Sequence, residues 1–260
     1  VIVNLFSGIG GWADALRDRQ LPEVGIDWDR WVCATRRCAG HQATERDVTD
    51  THPDAAPSID GLIATPPRRR PTNLGLRWTA DAHTVLATAV AWTIRGQDRR
   101  ADARAALDEL LDHHLDRALA ANIARRASTV IDPARWIDHH RPTWVVLDLP
   151  PAMAVWEAYI DGLTSIGYQV AHGPISDADW GLSPRLRSIV VAHRDHTPTL
   201  PNRTPPAPRA PRGEGIAGLL ALRGFPTDYP LQGPEDAQAR QVAGAIPPAI
   251  AAAILEGVLG

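Results

Sequence analysis

Val1-Ile-Val-Asn-Leu-Phe runs directly into Ser7-Gly-Ile-Gly-Gly11, and no other stretch limits the fold as sharply. A short run with β-branched residues and a glycine turn behind it reads as a buried strand. Trp12, Ala15 and Leu16 then give the helix that follows an apolar face. Glu23-Val-Gly-Ile-Asp27 is a second short strand that ends in an acid, and Trp28 to Ala39 is helical with Gly40 as its stop. Glu45-Arg-Asp-Val-Thr-Asp50 reads as a short polar turn, and Gly61-Leu-Ile-Ala64 as the next strand. The first 65 residues are therefore β-α-β-α-β, the unit of an α/β fold with a doubly wound, mostly parallel sheet. Such sheets bind ligands outside the carboxyl ends of their strands.

The loop after Ala64 is unusual. Pro66 and Pro67 end the strand, because proline cannot continue a ladder and restricts the residue before it, and Arg68-Arg-Arg70 follows. Three guanidiniums there suit a phosphate or a partner's carboxylate, or else a solvated loop. Beyond it the texture changes. Ala80 to Ile94 is helical by composition. Arg99 to Arg126 forms one long amphipathic stretch with Leu107, Leu110, Leu111, Leu115, Leu119 and Ile123 on a single stripe. This block either packs on its own domain or offers a partner surface.

Strand signals resume at Trp144-Val-Val-Leu-Asp148, followed by a helix from Ala154 to Ile166. Tyr168 to His172 and Ser188 to Ala192 read as two more strands, Thr197 to Arg212 as an extended proline and arginine tract, and Pro248 to Val258 as a last helix. The expected organisation is an α/β core over 1–72 and 128–195, a helical insertion over 73–127, and a linker over 196–213. A C-terminal segment, 214–260, would pack back on the core.

At 260 residues and 44% hydrophobic, the chain can bury a real core. A net charge of −3 gives no global attraction to nucleic acid, so any such contact needs a local basic patch. All 27 basic residues are arginine, which removes lysine as a Schiff-base former or general base. Cys33 and Cys38 are too few for a disulfide framework and lack partners at zinc spacing; the adjacent pairs His113-His114 and His139-His140 have no third ligand at useful spacing. No metal site is expected. Val1-Ile-Val-Asn lacks a charged signal-peptide head and no apolar run approaches membrane-spanning length, so the expectation is a soluble, cytoplasmic protein with no membrane partner.

An ordered series adds to this reading. Asn4-Leu-Phe-Ser-Gly-Ile-Gly-Gly11 is followed by Gly25-Ile-Asp-Trp-Asp29, Arg46-Asp-Val48 and Ala64-Thr-Pro-Pro67. Then come Trp144-Val-Val-Leu-Asp-Leu-Pro150, Ser183-Pro-Arg-Leu-Arg187, Leu222-Arg-Gly-Phe-Pro-Thr-Asp-Tyr-Pro230 and Arg240-Gln-Val-Ala-Gly-Ala-Ile-Pro-Pro248. In motif content and order the series resembles the DNA cytosine-5 methyltransferases. That resemblance covers about residues 1–72, 130–195 and 214–260, and implies a Rossmann-like class I methyltransferase fold that binds S-adenosylmethionine or S-adenosylhomocysteine. The turn of Ser7, Gly8 and Gly10 would lie against the methionine part, where absent Cβ atoms admit close approach. The resemblance puts Phe6 against the adenosine, Asp27 on the ribose hydroxyls, Trp28 on the adenine face, Asp47 on the adenine amino group, Val48 on the ring, and counts Pro66 among the cofactor-binding residues. Singly, Trp28 also reads as a core aromatic and Asp47 as a solvated acid.

The series departs from the family where its chemistry lies. The family's thiolate adds to C6 of a flipped cytosine, and its cysteine directly follows the Pro-Pro pair; here that position is Arg68, always protonated and no nucleophile. Asp148 replaces the glutamate of Glu-Asn-Val. Arg185 and Arg187 keep the two arginines of Gln-x-Arg-x-Arg without its glutamine, and Ala243-Gly244-Ala245-Ile246 lacks the asparagine of Gly-Asn-Ala-Val. The DNA-reading domain is replaced by the proline tract, in which Arg203, Arg209 and Arg212 either touch phosphates or belong to a solvated linker. The resemblance thus implies a non-catalytic member that partners an active methyltransferase homologue or DNA-modification subunit, with DNA reached through the complex. Two other readings stand beside it. One is an active S-adenosylmethionine-dependent transferase of altered chemistry; the other is a cofactor-sensing or DNA-binding module.

Overall fold

The computed structural model describes residues 1–67, 80–112, 115–149, 153–202 and 214–260. Strand β1 (Ile2–Leu5) is buried along its whole length. Helix α1 (Gly11–Arg17), β2 (Glu23–Asp27), α2 (Arg30–Cys38), β3 (Gln42–Glu45) and β4 (Gly61–Ala64) follow it. The later strands are β5 (Trp144–Leu149), β6 (Gln169–Ser176) and β7 (Leu186–His193), and the sheet order is β3-β2-β1-β4-β5-β7-β6. The first five of these in the sheet are mutually parallel, while β7 runs antiparallel to both β5 and β6. The strand order reverses between β1 and β4, so the loops after these two strands open on either side of the topological switch point.

One face of the sheet, with Val3, Leu5, Leu62, Val145 and Leu147, is covered by α3 (Ala80–Thr93), α4 (Arg100–Asp112), α5 (Arg117–Ala127), α6 (Asp132–His140) and α7 (Met153–Ser165). The other, with Ile2, Ile63, Trp144, Val146 and Val191, packs on α1 and α10 (Pro248–Leu259). Helices α8 (Gly215–Leu222) and α9 (Glu235–Gly244) enclose a smaller cluster of Ile9, Leu220, Phe225 and Val242. Glu235–Leu259 is by length and composition apolar enough to cross a membrane. It is, however, two helices parted at Ala245–Pro247, and Ile250, Ala251, Ile254, Leu255 and Val258 of the second are buried in the core.

Two expectations change, and one open alternative is decided. The polar turn expected over 45–50 is preceded by an edge strand, β3, whose Gln-Ala-Thr-Glu lacks the apolar alternation that marks a strand. Its backbone ladder with β2 holds it instead. The single long helix over Arg99 to Arg126 is two helices, because the Asp116 carboxylate accepts the Ala118 and Leu119 amides at 3.0 and 3.3 Å and caps a new start. The inserted helices also share one core with the sheet: Leu86, Val90, Ile94, Leu107, Ala120 and Ala124 all belong to the cluster built on β1, β4 and β5. Of the two sequence readings of this block, packing on its own domain is the one observed.

Within the 196–213 stretch, the described part is anchored. The Thr199 amide donates to the Gly257 carbonyl at 2.8 Å, and His196 Nε2 lies 3.1 Å from the Val258 carbonyl oxygen. Arg203, Arg209 and Arg212 lie outside the described residues, as do Arg68 to Arg70 and the pair His113-His114.

A buried cation sits beneath this framework. The Arg36 side chain is fully enclosed, and its Nη2 meets the Glu23 carboxylate at 2.8 and 2.6 Å. Its Nη1 donates to the Ser7 and Gly8 carbonyls at 3.3 and 3.4 Å, and its Nε to the Gln42 carbonyl at 3.3 Å. Only glycine fits at 25, since a Cβ there would lie 2.5 Å from Arg36 Cζ. Replacing Arg36 with methionine strands the buried Glu23 charge and should cost about 3–5 kcal/mol in urea unfolding. A loss below about 1 kcal/mol would show that the guanidinium carries little of the fold.

Candidate functional site

A cavity of about 450 Å³ opens at the carboxyl ends of the first strands. The chain turns sharply to make it. Phe6 has φ of 55°, a strained value for a non-glycine residue, and Gly8 and Gly10 follow at 58° and 128°. A Cβ on Gly10 would come within 2.8 Å of the Tyr229 hydroxyl and 2.9 Å of the His41 ring. Tyr229 Oη in turn donates to the Ile9 carbonyl at 2.8 Å, so the C-terminal segment braces the turn.

Asp27 ends β2 at the cavity wall. Its Oδ2 accepts the Gly8 amide at 3.1 Å and its Oδ1 the Asp29 amide at 3.1 Å. Burial pushes the Asp27 pKa above its ordinary value, and these two amides offset part of that push. The Trp28 indole is 64% exposed at the rim and is not a core aromatic. Asp47 accepts the Thr49 amide on Oδ1 at 2.9 Å and the Arg125 guanidinium on Oδ2 at 2.8 Å. Burial alone would raise its pKa, but the Arg125 and Thr49 hydrogen bonds outweigh that and hold it below the usual carboxylate range.

Of the residues expected around a cofactor, Phe6, Asp27, Trp28 and Asp47 line this cavity. Ser7, Gly8 and Gly10 make the adjoining turn. Pro66 is buried beside Pro67, which does line it, whereas Val48 is 1% exposed and belongs to the core under the sheet. The opposite wall was not foreseen. Asn122, Arg125 and Arg126 come from the inserted helix α5, and Arg240, Gln241 and Gly244 from α9. No periodicity marks these as site residues; only the tertiary fold brings them together.

The positions expected to carry chemistry are arranged differently. Asp148, on β5, and Arg187, on β7, are both fully buried and meet at 2.8 Å. Arg187 also grips Asp177 through Nε at 2.6 Å and Nη2 at 3.0 Å, and donates from Nη2 to the Ala245 carbonyl at 3.1 Å. Arg223 reaches the same Asp177 at 3.0 Å. Arg185 donates to the Ala243 carbonyl at 2.6 Å. Both arginines of the Arg-x-Arg pair thus clamp the 243–245 segment onto the sheet. Asp177 was missed because Asp177–Trp180 reads as an ordinary loop between strands, and it is the pairing of β6 with β7 that carries it under Arg187.

Neither cysteine lines the cavity. Cys33 is buried on α2, where desolvation pushes its pKa up to about 11, and Cys38 lies five residues further along the same helix. Among the described residues, no group of three His, Cys, Asp or Glu side chains is placed to hold a metal ion.

Because the Asp148–Arg187 pair is enclosed, the extra methylene of Asp148→Glu has to displace packed neighbours. We expect a loss of about 1–3 kcal/mol on thermal or urea unfolding. Unchanged stability would mean that the position has room for a glutamate.

No protein-family model and no curated protein sequence matches this chain. Solved structures do. The Dnmt2 methyltransferase of S. pombe superposes with a TM-score of 0.63 at 11% identity, covering 99% of this chain and 97% of that one. A protein described as a DNA modification methyltransferase encoded within a prophage of E. coli gives 0.63 at 11% identity, covering 99% and 98%. The methyltransferase EhMeth of Entamoeba histolytica gives 0.61 at 11% identity, covering 99% and 97%. Likeness at this identity speaks for architecture alone, and the architecture is plain: the chain has the class I methyltransferase fold, an α/β sandwich around a seven-stranded mixed sheet.

Proposed function

We propose that this chain binds S-adenosylmethionine or S-adenosylhomocysteine in the cavity beside Asp27 and serves as the non-catalytic partner of an active DNA cytosine-5 methyltransferase or DNA-modification complex. The single observation that carries the cofactor half is the convergence of Phe6, Asp27, Trp28 and Asp47 on one cavity of about 450 Å³. The residues present fit the group. Asp27 spends one lone pair of each oxygen on a backbone amide, which leaves acceptor capacity for two ribose hydroxyls. Trp28 presents an aromatic face, Asp47 an acceptor for an exocyclic amine. The Ser7 hydroxyl is buried at the adjoining glycine turn with no hydrogen-bond partner. When bound, the cofactor supplies an electrophilic methyl group.

The non-catalytic half rests on what is spent elsewhere. Arg68 stands where the family's thiol would be, and Asp148, at the position of the family's glutamate, is paired with Arg187 in the interior. Neither Asp148 nor Arg187 lines the cavity, so a loss of chemistry at those positions leaves it untouched. Retention of one half-site without the other suits a subunit that reports or delivers cofactor occupancy to a homologous enzyme.

Two outcomes are expected. Calorimetric titration should give saturable binding of S-adenosylhomocysteine that weakens as pH falls. The sign follows from Asp27: ribose hydroxyls donate to the carboxylate, so binding favours its ionised form. That form is lost as pH drops through a pKa lying above 3.8. Affinity that is flat from pH 8 to pH 4 would remove Asp27 from the site. Arg68→Cys should form no covalent adduct with a 5-fluorocytosine duplex, because Asp148 is held in the interior by Arg187. A trapped adduct would show an assembled site lacking only its nucleophile and would favour the reading of a recently active transferase.

A further inference from the structure

The loop from Asp47 to Thr51 is held by guanidiniums from three successive helices. Arg100 of α4 donates to the Thr49 carbonyl at 3.0 Å, and Arg135 of α6 to the Val48 carbonyl at 3.1 Å. Arg125 of α5 bridges Asp47 and Asp50 through Nη2, at 2.8 and 2.9 Å. Beneath them the buried Asp132 carboxylate accepts from Thr49, Arg100 and Arg135 at 3.2, 3.2 and 2.8 Å. Arg100 and Arg135 act on carbonyls and on the hub. Arg125 alone among these three reaches a carboxylate that also lines the cavity.

Asp47 and Asp50 sit three residues apart in one loop, and without a shared cation their charges repel. The Arg125 bridge offsets that repulsion and orients Oδ2 of Asp47. It does not close the cavity, which stands open with the pair formed. Each carboxylate oxygen has two acceptor sites, so Asp47 keeps capacity for a donor arriving from the cavity. An acceptor of fixed direction beside the exposed Trp28 face is the recognition chemistry of a flat heteroaromatic ring that bears an amine.

We infer that inserted helix α5 is part of the nucleoside site and that Arg125 is a positioning residue that sets its selectivity for a 6-aminopurine, acting through Asp47. This rests on the cofactor reading above and adds to it a residue that lies outside the family-like motifs. It also gives the inserted helices a task at the site.

The test compares two probes on the full chain by calorimetry: S-adenosylhomocysteine, and its analogue with unsubstituted purine in place of adenine, which lacks the amine. Wild type should prefer the first by about 10-fold or more, as expected for one hydrogen bond to a charged group. Arg125→Ala should weaken S-adenosylhomocysteine by about 5- to 10-fold, leave the purine analogue within about 2-fold, and so collapse the ratio. Arg125→Lys should restore part of it. Asn122→Ala, which alters the same wall without touching Asp47, should leave the ratio intact. If Arg125→Ala weakens both probes equally, Arg125 is structural only and the inference fails. Tighter binding of either probe would make Arg125 a blocking latch and would also overturn it. Should Arg125→Ala not fold, Arg125→Gln gives the same comparison with the charge alone removed. Binding of neither probe by wild type would instead defeat the cofactor reading, and this inference with it.

Discussion

Arg36 is the interaction on which the site depends. A guanidinium with no exposed surface is costly to bury unless nearly every donor is answered, and here Glu23 and the carbonyls of Ser7, Gly8 and Gln42 answer it. These partners come from the start of β2, the turn after β1 and the start of β3. One side chain therefore ties three segments together directly under the turn that shapes the cavity. The arrangement also fixes a residue of β2, since the guanidinium occupies the volume a side chain at Gly25 would need. The strain at Phe6 is held by this same buttress on one side and by Tyr229 on the other.

The same economy runs through the rest of the molecule: charged groups are spent on architecture. Asp148, Arg187 and Asp177 form a continuous buried chain of ion pairs that ends at the partly exposed Arg223, and Arg185 and Arg187 fasten the 243–245 backbone. Removing one member of such a chain leaves another uncompensated, so these arginines have a structural role whatever chemistry the chain performs. Gly244 stands where the family's asparagine would be, in open space with nothing within 4 Å of a built Cβ, so no packing demand compels glycine there.

Much of this was legible in the sequence, and what was not has physical reasons. The strand, glycine turn and helix at the start were readable because a buried parallel strand is apolar on both faces and its turn needs glycines. Asp27 was readable as the acid that ends β2. The edge strand β3 was not, because its pairing is a backbone matter and its side chains are polar. Arg36 was hidden in Thr35-Arg36-Arg37, which looks like the solvated face of a helix; Arg37 does lie at the surface while Arg36 is enclosed. The cavity wall from α5 was equally hidden, since helical periodicity says which face is apolar and nothing about what the polar face will meet. The described part of the proline tract is docked by backbone contacts that composition does not encode.

A cofactor cavity kept while the cytosine site is closed is the central claim, and partition of a labelled methyl group tests it most directly. The full chain is incubated with methyl-labelled S-adenosylmethionine and cytosine-containing duplex DNA, then separated from both. The label should remain with the protein fraction, be recovered as intact S-adenosylmethionine, and be absent from the DNA. Label incorporated into cytosine would contradict the closed site, and a protein fraction free of label would contradict the cavity assignment.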